Sequence, residues 1–151
     1  WAAIYQSFSR GRLLITSSDP DAAPEVRFRM LSDPRDLIRM REAASRLIDL
    51  ARHPAIQAIA DSVHLGRAPT LLAVSPLAGS SCVPTDQWML DHCFDVQHAA
   101  GTCRMCATND PRSVVDPQCK VIGVQGLRVI AASIFPEMVR ATTHLTAVLI
   151  G

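Results

Sequence analysis

The run His98-Ala99-Ala100-Gly101-Thr102-Cys103-Arg104-Met105 sets an imidazole at the head of small residues, among them a glycine that lets the backbone approach other groups closely. Histidine titrates near neutrality, so in such a setting it is a candidate proton acceptor or donor. A second histidine stands in the run Thr142-Thr143-His144-Leu145-Thr146. His98 and His144 each sit amid small or hydroxyl residues in a segment that is not simply amphipathic, which sets them apart from His53, His64 and His92. Whether the two meet in space is not encoded in their spacing.

Before this run, Thr85 is a natural N-cap for a helix that buries Trp88 and Leu90 and leads toward His98. Farther upstream, Ser32-Asp33-Pro34-Arg35-Asp36 is a helix start. Asp33 can accept from free N–H groups, Pro34 suits the first helical position, and Asp36 favours the positive end of the helix dipole. Leu37, Met40, Ala44, Leu47 and Ala51 then recur at helical spacing, and the helix should stop near His53-Pro54, with His53 at its C-terminal end. A shorter helix is expected over Ala55 to Val63. Ser9 to Thr16 reads as a strand, and the alternation of Val26, Phe28 and Met30 with Glu25, Arg27 and Arg29 predicts a half-buried antiparallel partner. His64 to Pro84 mixes Gly, Pro and Ser with apolar residues and reads as loop with one short strand at most. After Met105, Ser113–Asp116 and Lys120–Val124 have strand character interrupted by Pro117 and Gly123. Leu127-Arg128-Val129-Ile130 reads as a strand inside a sheet, and Thr142 to Gly151 as a buried helix.

The chain has 151 residues, 48% of them apolar, enough for one globular domain. Fifteen basic against fourteen acidic residues leave a net charge of +1, which draws the protein toward neither nucleic acid nor an anionic membrane. The most apolar run, Pro69 to Ala78, is too short to cross a bilayer, so no transmembrane segment is expected. Five cysteines without scaffold spacing point to reduced thiols and a cytoplasmic setting. Trp1 in place of an initiator methionine and the uncapped apolar run before Gly151 suggest part of something longer.

Cys103 and Cys106 form a Cys-x-x-Cys pair that Cys93, Cys119, His92 or His98 could complete. A tetrahedral zinc site wants a second clustered pair, and a thioredoxin-like role wants a βαβ setting. Neither is present, so no metal is expected and the cysteines read as buried thiols. Arg35, Arg39, Arg41, Arg46 and Arg52 read as a solvated helix face.

Several segments resemble, in order and spacing, the C-terminal signature of the glucose-methanol-choline (GMC) oxidoreductases. They are His98 to Met105, Ser113-Val114-Val115-Asp116-Pro117, Val121 to Ile130, and Ala132-Ser133-Ile134-Phe135-Pro136. Ser9-Arg10-Gly11, Asp19-Pro20 and Leu31 to Leu37 resemble the opening of the same region. The resemblance implies an α+β fold, an antiparallel sheet backed by helices. Residues 1–126 would form a substrate-binding domain, and residues 127–151 a final strand and helix that return to a nucleotide-binding part and complete the FAD site. The Gly-x-Gly-x-x-Gly loop that holds the FAD pyrophosphate in that family has no counterpart here.

By resemblance, the cofactor is FAD, the partner is an N-terminal FAD-binding part, and the substrate is a small alcohol. His98 matches the family's active-site histidine and His144 the second site residue, which is Asn in some members and His in others. The implied chemistry is oxidation of the alcohol by a dehydrogenase or oxidase, choline-dehydrogenase-like, in which His98 takes the hydroxyl proton while hydride passes to flavin N5. His144 would hydrogen-bond the substrate oxygen. Ala131, Ala132, Thr143, Leu145 and Thr146 fall at cofactor-contacting positions. The family usually has Asp at position 131 and Gly at position 106, where this chain has Ala131 and Cys106. Two other classes stay open: a hydroxynitrile-lyase-type member of the same fold, and a non-catalytic fragment that binds a partner. The isolated chain is expected to be inactive.

Overall fold

A computed structural model describes residues 2–65, 72–73 and 84–151. The chain forms two units, each packed around its own residues. The first draws on the described residues of Trp1–Ile4 and Arg29–Phe94, the second on Tyr5–Phe28 and Asp95–Gly151. The architecture is α+β, as the sequence implies, with short antiparallel strand pairs and four α-helices among the described residues.

The first unit is organised by α1, Pro34–Ala51. Its start is the one expected: Asp33 is extended, accepts from the Arg35 N–H at 2.9 Å, and grips the Arg35 guanidinium as well. Asp36 in the first turn is buried and pairs with Arg39 at 3.2 Å. Ala44, Ile48 and Ala51 turn inward, and Val63 packs against the last two. A second helix, α2, covers only Pro54–Gln57, shorter than the periodicity predicts. Ile59 beyond it is exposed, so a further turn would gain no burial. His53 does not close α1. It caps α2, accepting the Ala55 N–H through Nδ1 at 3.2 Å, because Pro54 begins a new helix. β3, His64–Leu65, pairs antiparallel with β4, Leu72–Ala73. The rest of the loop expected over His64 to Pro84, and the apolar run after Pro69, lie largely outside the described residues. α3, Asp86–His92, starts at the predicted cap, with the Trp88 N–H on Thr85 Oγ1 at 3.1 Å, and Asp86 holds Arg41 of α1.

In the second unit, β1, Arg12–Leu14, pairs antiparallel with β2, Glu25–Arg27, in the register Leu13↔Val26. Gly11 lets the ribbon close: a Cβ there would collide with the carbonyl oxygens of Arg27 and Phe28. The expected period-two strand is cut short because Arg29 and Leu31 adopt positive φ, and Val26 and Phe28 stay exposed instead of burying one face. The core is Val115, Ile134 and Phe135, ringed by Ala100, Met105, Val121, Val129, Val139 and Ala147 among others.

Two sequence expectations fail here. Leu127–Ile130 is not a strand inside a sheet; it makes an isolated antiparallel bridge, Lys120 to Arg128, flanked by bonds from the Val121 N–H to the Leu127 carbonyl and from the Val129 N–H to the Cys119 carbonyl, each at 3.0 Å. Gly123 and Gly126, both at positive φ, turn the chain so tightly that no longer ladder forms. The helix expected over Thr142 to Gly151 exists as α4, His144–Ile150, but it is not buried: Leu145 is 68% and Leu149 79% exposed. Among the described residues no helix is long and apolar enough to cross a membrane.

Candidate active site

Asp95 accepts the Gln97 N–H at 2.9 Å, and Gln97 takes a left-handed φ of 64° that turns the chain into His98. From there the segment runs beside the 3₁₀ turn Ala132–Ile134. Three backbone bonds fasten it: Gly101 N–H to Ala132 O at 3.2 Å, Cys103 N–H to Ser133 O at 2.8 Å, and Met105 N–H to Ile134 O at 2.9 Å. Gly101, at φ +82°, faces the Phe135 carbonyl so closely that a Cβ would stand 3.3 Å from its oxygen. Downstream of that seam the chain passes Phe135 and Val139 and enters α4.

His98 is half-buried, and its Nδ1 lies 2.9 Å from Thr143 Oγ1. Thr143 is only 8% exposed and stands immediately before α4, accepting the Ala147 N–H on its carbonyl at 2.9 Å. The Tyr5 ring packs on the imidazole at a centroid distance of 5.8 Å and a tilt of 50°. Tyr5 is held there because the neighbouring Gln6 N–H bonds the Val139 carbonyl at 2.9 Å and Arg140 Nε reaches Gln6 Oε1 at 2.5 Å. Among the described residues, no carboxylate hydrogen-bonds His98, and its Nε2 makes no hydrogen bond.

His144 is the first residue of α4 and is exposed. The fold therefore brings His98 to the residue next to His144, with Thr143 rather than His144 in direct contact. Leu145 is exposed and Thr146 half-buried on the same helix; Ala131 is exposed and extended, with Ala132 half-buried in the 3₁₀ turn after it. Ala131 occupies the N-cap position of that turn and offers no side-chain acceptor. At Cys106 the backbone does not take positive φ, so a side chain fits where the family usually has glycine. Its N–H bonds Ser113 Oγ at 3.2 Å.

Cys93, Cys103, Cys106 and Cys119 are free thiols, and the described residues hold no cluster of three or more His, Cys, Asp or Glu able to bind a metal ion. Arg104 leaves the opening run to pair with Glu137 at 2.8 Å, and Arg10 takes the other carboxylate oxygen at 2.5 Å, which ties the run to the segment leading into α4. Sequence reasoning missed Tyr5 altogether. Beyond its being the only tyrosine of the chain, nothing in the sequence singles it out.

This geometry holds one imidazole nitrogen, Nδ1, on Thr143 at the start of α4 and leaves the other, Nε2, without a hydrogen bond among the described residues. Such an arrangement can accept or deliver one proton.

The model of the GMC oxidoreductases, for their C-terminal region, matches residues 7–151. An oxygen-dependent choline dehydrogenase of Sinorhizobium medicae is 34% identical over 145 residues, which is 96% of this chain and 25% of the relative. Among solved structures, a fungal aryl-alcohol oxidase superposes with a TM-score of 0.66 at 26% identity, covering 93% of this chain and 22% of the other. A formate oxidase of Aspergillus oryzae, studied for FAD modification, superposes with a TM-score of 0.70 at 26% identity, covering 93% of this chain and 23% of the other. The chain thus spans about a quarter of the length of the curated relatives it matches.

Proposed function

Because this chain belongs to the GMC oxidoreductase family, we propose that it is the substrate-binding part of an FAD-dependent enzyme that oxidises a small alcohol, a choline-like dehydrogenase or oxidase. The single observation that carries the reading is the held imidazole: His98 has Nδ1 engaged by Thr143 at 2.9 Å and Nε2 without a partner among the described residues.

The residues present fit the flat ring end of FAD and not its phosphates. Ala131 and Ala132 offer only methyl groups, and exposed Leu145 follows His144, side chains that suit a flat ring and carry no charge to hold a phosphate. A pyrophosphate needs a glycine loop at a helix start, which this sequence does not contain. Ala131, Ala132, Thr143, Leu145 and Thr146 would meet the ring, and an N-terminal FAD-binding part of the same protein would hold the rest. Flavin, when bound, supplies the acceptor for the hydride of the carbinol carbon.

The chain's own residues do the proton work. The alcohol O–H donates to His98 Nε2 and its proton passes to that nitrogen, leaving the oxygen to form the carbonyl as hydride departs. His144, one residue past the contact that holds His98, hydrogen-bonds the same oxygen and fixes its direction. Residues 1–126 form the substrate side, and residues 127–151 carry the surface that meets the FAD-binding part. Exposed Leu145, Val148 and Leu149, apolar side chains left in water on one short helix, support a contact surface at α4. The free thiols favour a reducing compartment such as the cytoplasm.

The test is anaerobic mixing of an alcohol such as choline or benzyl alcohol with the flavin-loaded, full-length protein. Bleaching of the flavin absorbance is expected. No bleaching by these alcohols, together with cleavage of a cyanohydrin such as mandelonitrile while the flavin stays oxidised, would move the protein to the lyase class.

A further inference from the structure

Resting on the reading of His98 as proton acceptor, we propose that Thr143 is the positioning residue that determines which nitrogen of His98 carries the proton. A neutral imidazole bears one N–H, and the partner of one nitrogen fixes the state of the other. Here the partner is an uncharged hydroxyl at 2.9 Å from Nδ1, on a side chain only 8% exposed. The backbone of Thr143 is fixed at the N-cap of α4, its carbonyl accepting the Ala147 N–H at 2.9 Å, and burial of the side chain limits where its hydroxyl can go. The ring is likewise restrained, with Tyr5 packed at 5.8 Å.

A hydroxyl oxygen has two acceptor positions and a hydrogen that rotates to suit. With Nδ1–H donating to Oγ1, the lone pair of Nε2 faces outward and is available to the substrate. When the substrate O–H bond breaks and the proton joins Nε2, the ring gains one positive charge. Nδ1–H goes on donating to the same oxygen, so no heavy atom has to move. A hydroxyl does this without adding a second charge to a half-buried place, unlike the carboxylate that orients histidine in hydrolytic triads. The arrangement also couples the two histidines, since the residue that orients His98 is the neighbour of His144.

The test is long-range proton–nitrogen correlation NMR of the full-length protein labelled with ¹⁵N-histidine, at about pH 8, above the ordinary histidine range. His98 is assigned by the signals lost in His98→Gln. The wild type and Thr143→Ser should show His98 protonated on Nδ1 and bare on Nε2; Thr143→Val, which keeps the shape and removes the hydroxyl, should lose that Nδ1–H pattern in favour of Nε2–H. Wild-type His98 protonated on Nε2 overturns the proposal, and so does a pattern unchanged in Thr143→Val. If Thr143→Val does not fold, the wild-type and Thr143→Ser spectra decide. The outcome is separable from the enzymatic reading: an Nδ1–H His98 whose removal leaves flavin reduction untouched keeps the role of Thr143 and refutes the base.

Discussion

Replacing Gly101 by alanine tests the seam that carries His98. Gly101 sits at φ +82°, where a residue with a Cβ costs roughly 1–2 kcal/mol. In addition the new Cβ would stand 3.3 Å from the Phe135 carbonyl oxygen, too close unless the backbone gives by a few tenths of an ångström. Gly123 supplies the control. It has the same φ of +82°, but a Cβ there meets nothing within 4 Å, so its alanine variant carries the conformational cost alone. At about 2–4 °C per kcal/mol for a chain of this size, Gly123→Ala should lower Tm by about 2–8 °C. Gly101→Ala should lower it further, and the excess reports the Phe135 contact. Thermal unfolding followed by circular dichroism reads both. Equal Tm values for the two variants would refute the close approach, and a Tm at or above wild type for Gly101→Ala would refute the left-handed geometry itself.

Ala131→Asp should stabilise the protein by about 0.5–2 kcal/mol, because position 131 is the N-cap of the 3₁₀ turn and now lacks a side-chain acceptor; a Tm unchanged or lowered would argue that the position is not a cap. Stability should also fall in acid through Asp110, whose carboxyl the Arg112 guanidinium and N–H hold well below its ordinary value of 3.8. A depressed folded-state value means that the contribution is complete above the unfolded pKa and is lost as pH falls below it. Asp110→Asn should therefore flatten the decline in Tm below about pH 4, and an unchanged acid limb would remove Asp110 from the account. Added salt should shrink the same effect, since the pair is solvent-exposed.

The parts of the fold that sequence reads well are those whose causes are local. The start of α1 needs only Asp33, Pro34 and the helical spacing behind them, and α3 needs only Thr85; all lie within a turn of what they control. Leu127–Ile130 misleads because its composition is that of a buried strand, while its course is set by Gly123 and Gly126 a few residues earlier. The apolar face of α4 misleads in another way. Burial is a property of what packs against a helix, and nothing among the described residues covers Leu145 or Leu149. The candidate site divides likewise. His98 and His144 stand out by residue type and setting, but the contact that orders them joins His98 to Thr143, and only the folded chain brings those positions together. Tyr5 reaches the site through the backbone bond of Gln6 to Val139, a pairing with no trace in either segment alone.

In the reaction proposed for this protein, His98 takes the proton of an alcohol. Its most direct test is single-turnover flavin reduction by stopped-flow in the flavin-loaded, full-length protein, comparing wild type with His98→Ala. The variant should retain its flavin and reduce it about 10²- to 10⁴-fold more slowly, the loss typical of a missing acid–base group. A variant that reduces its flavin at the wild-type rate would contradict that role.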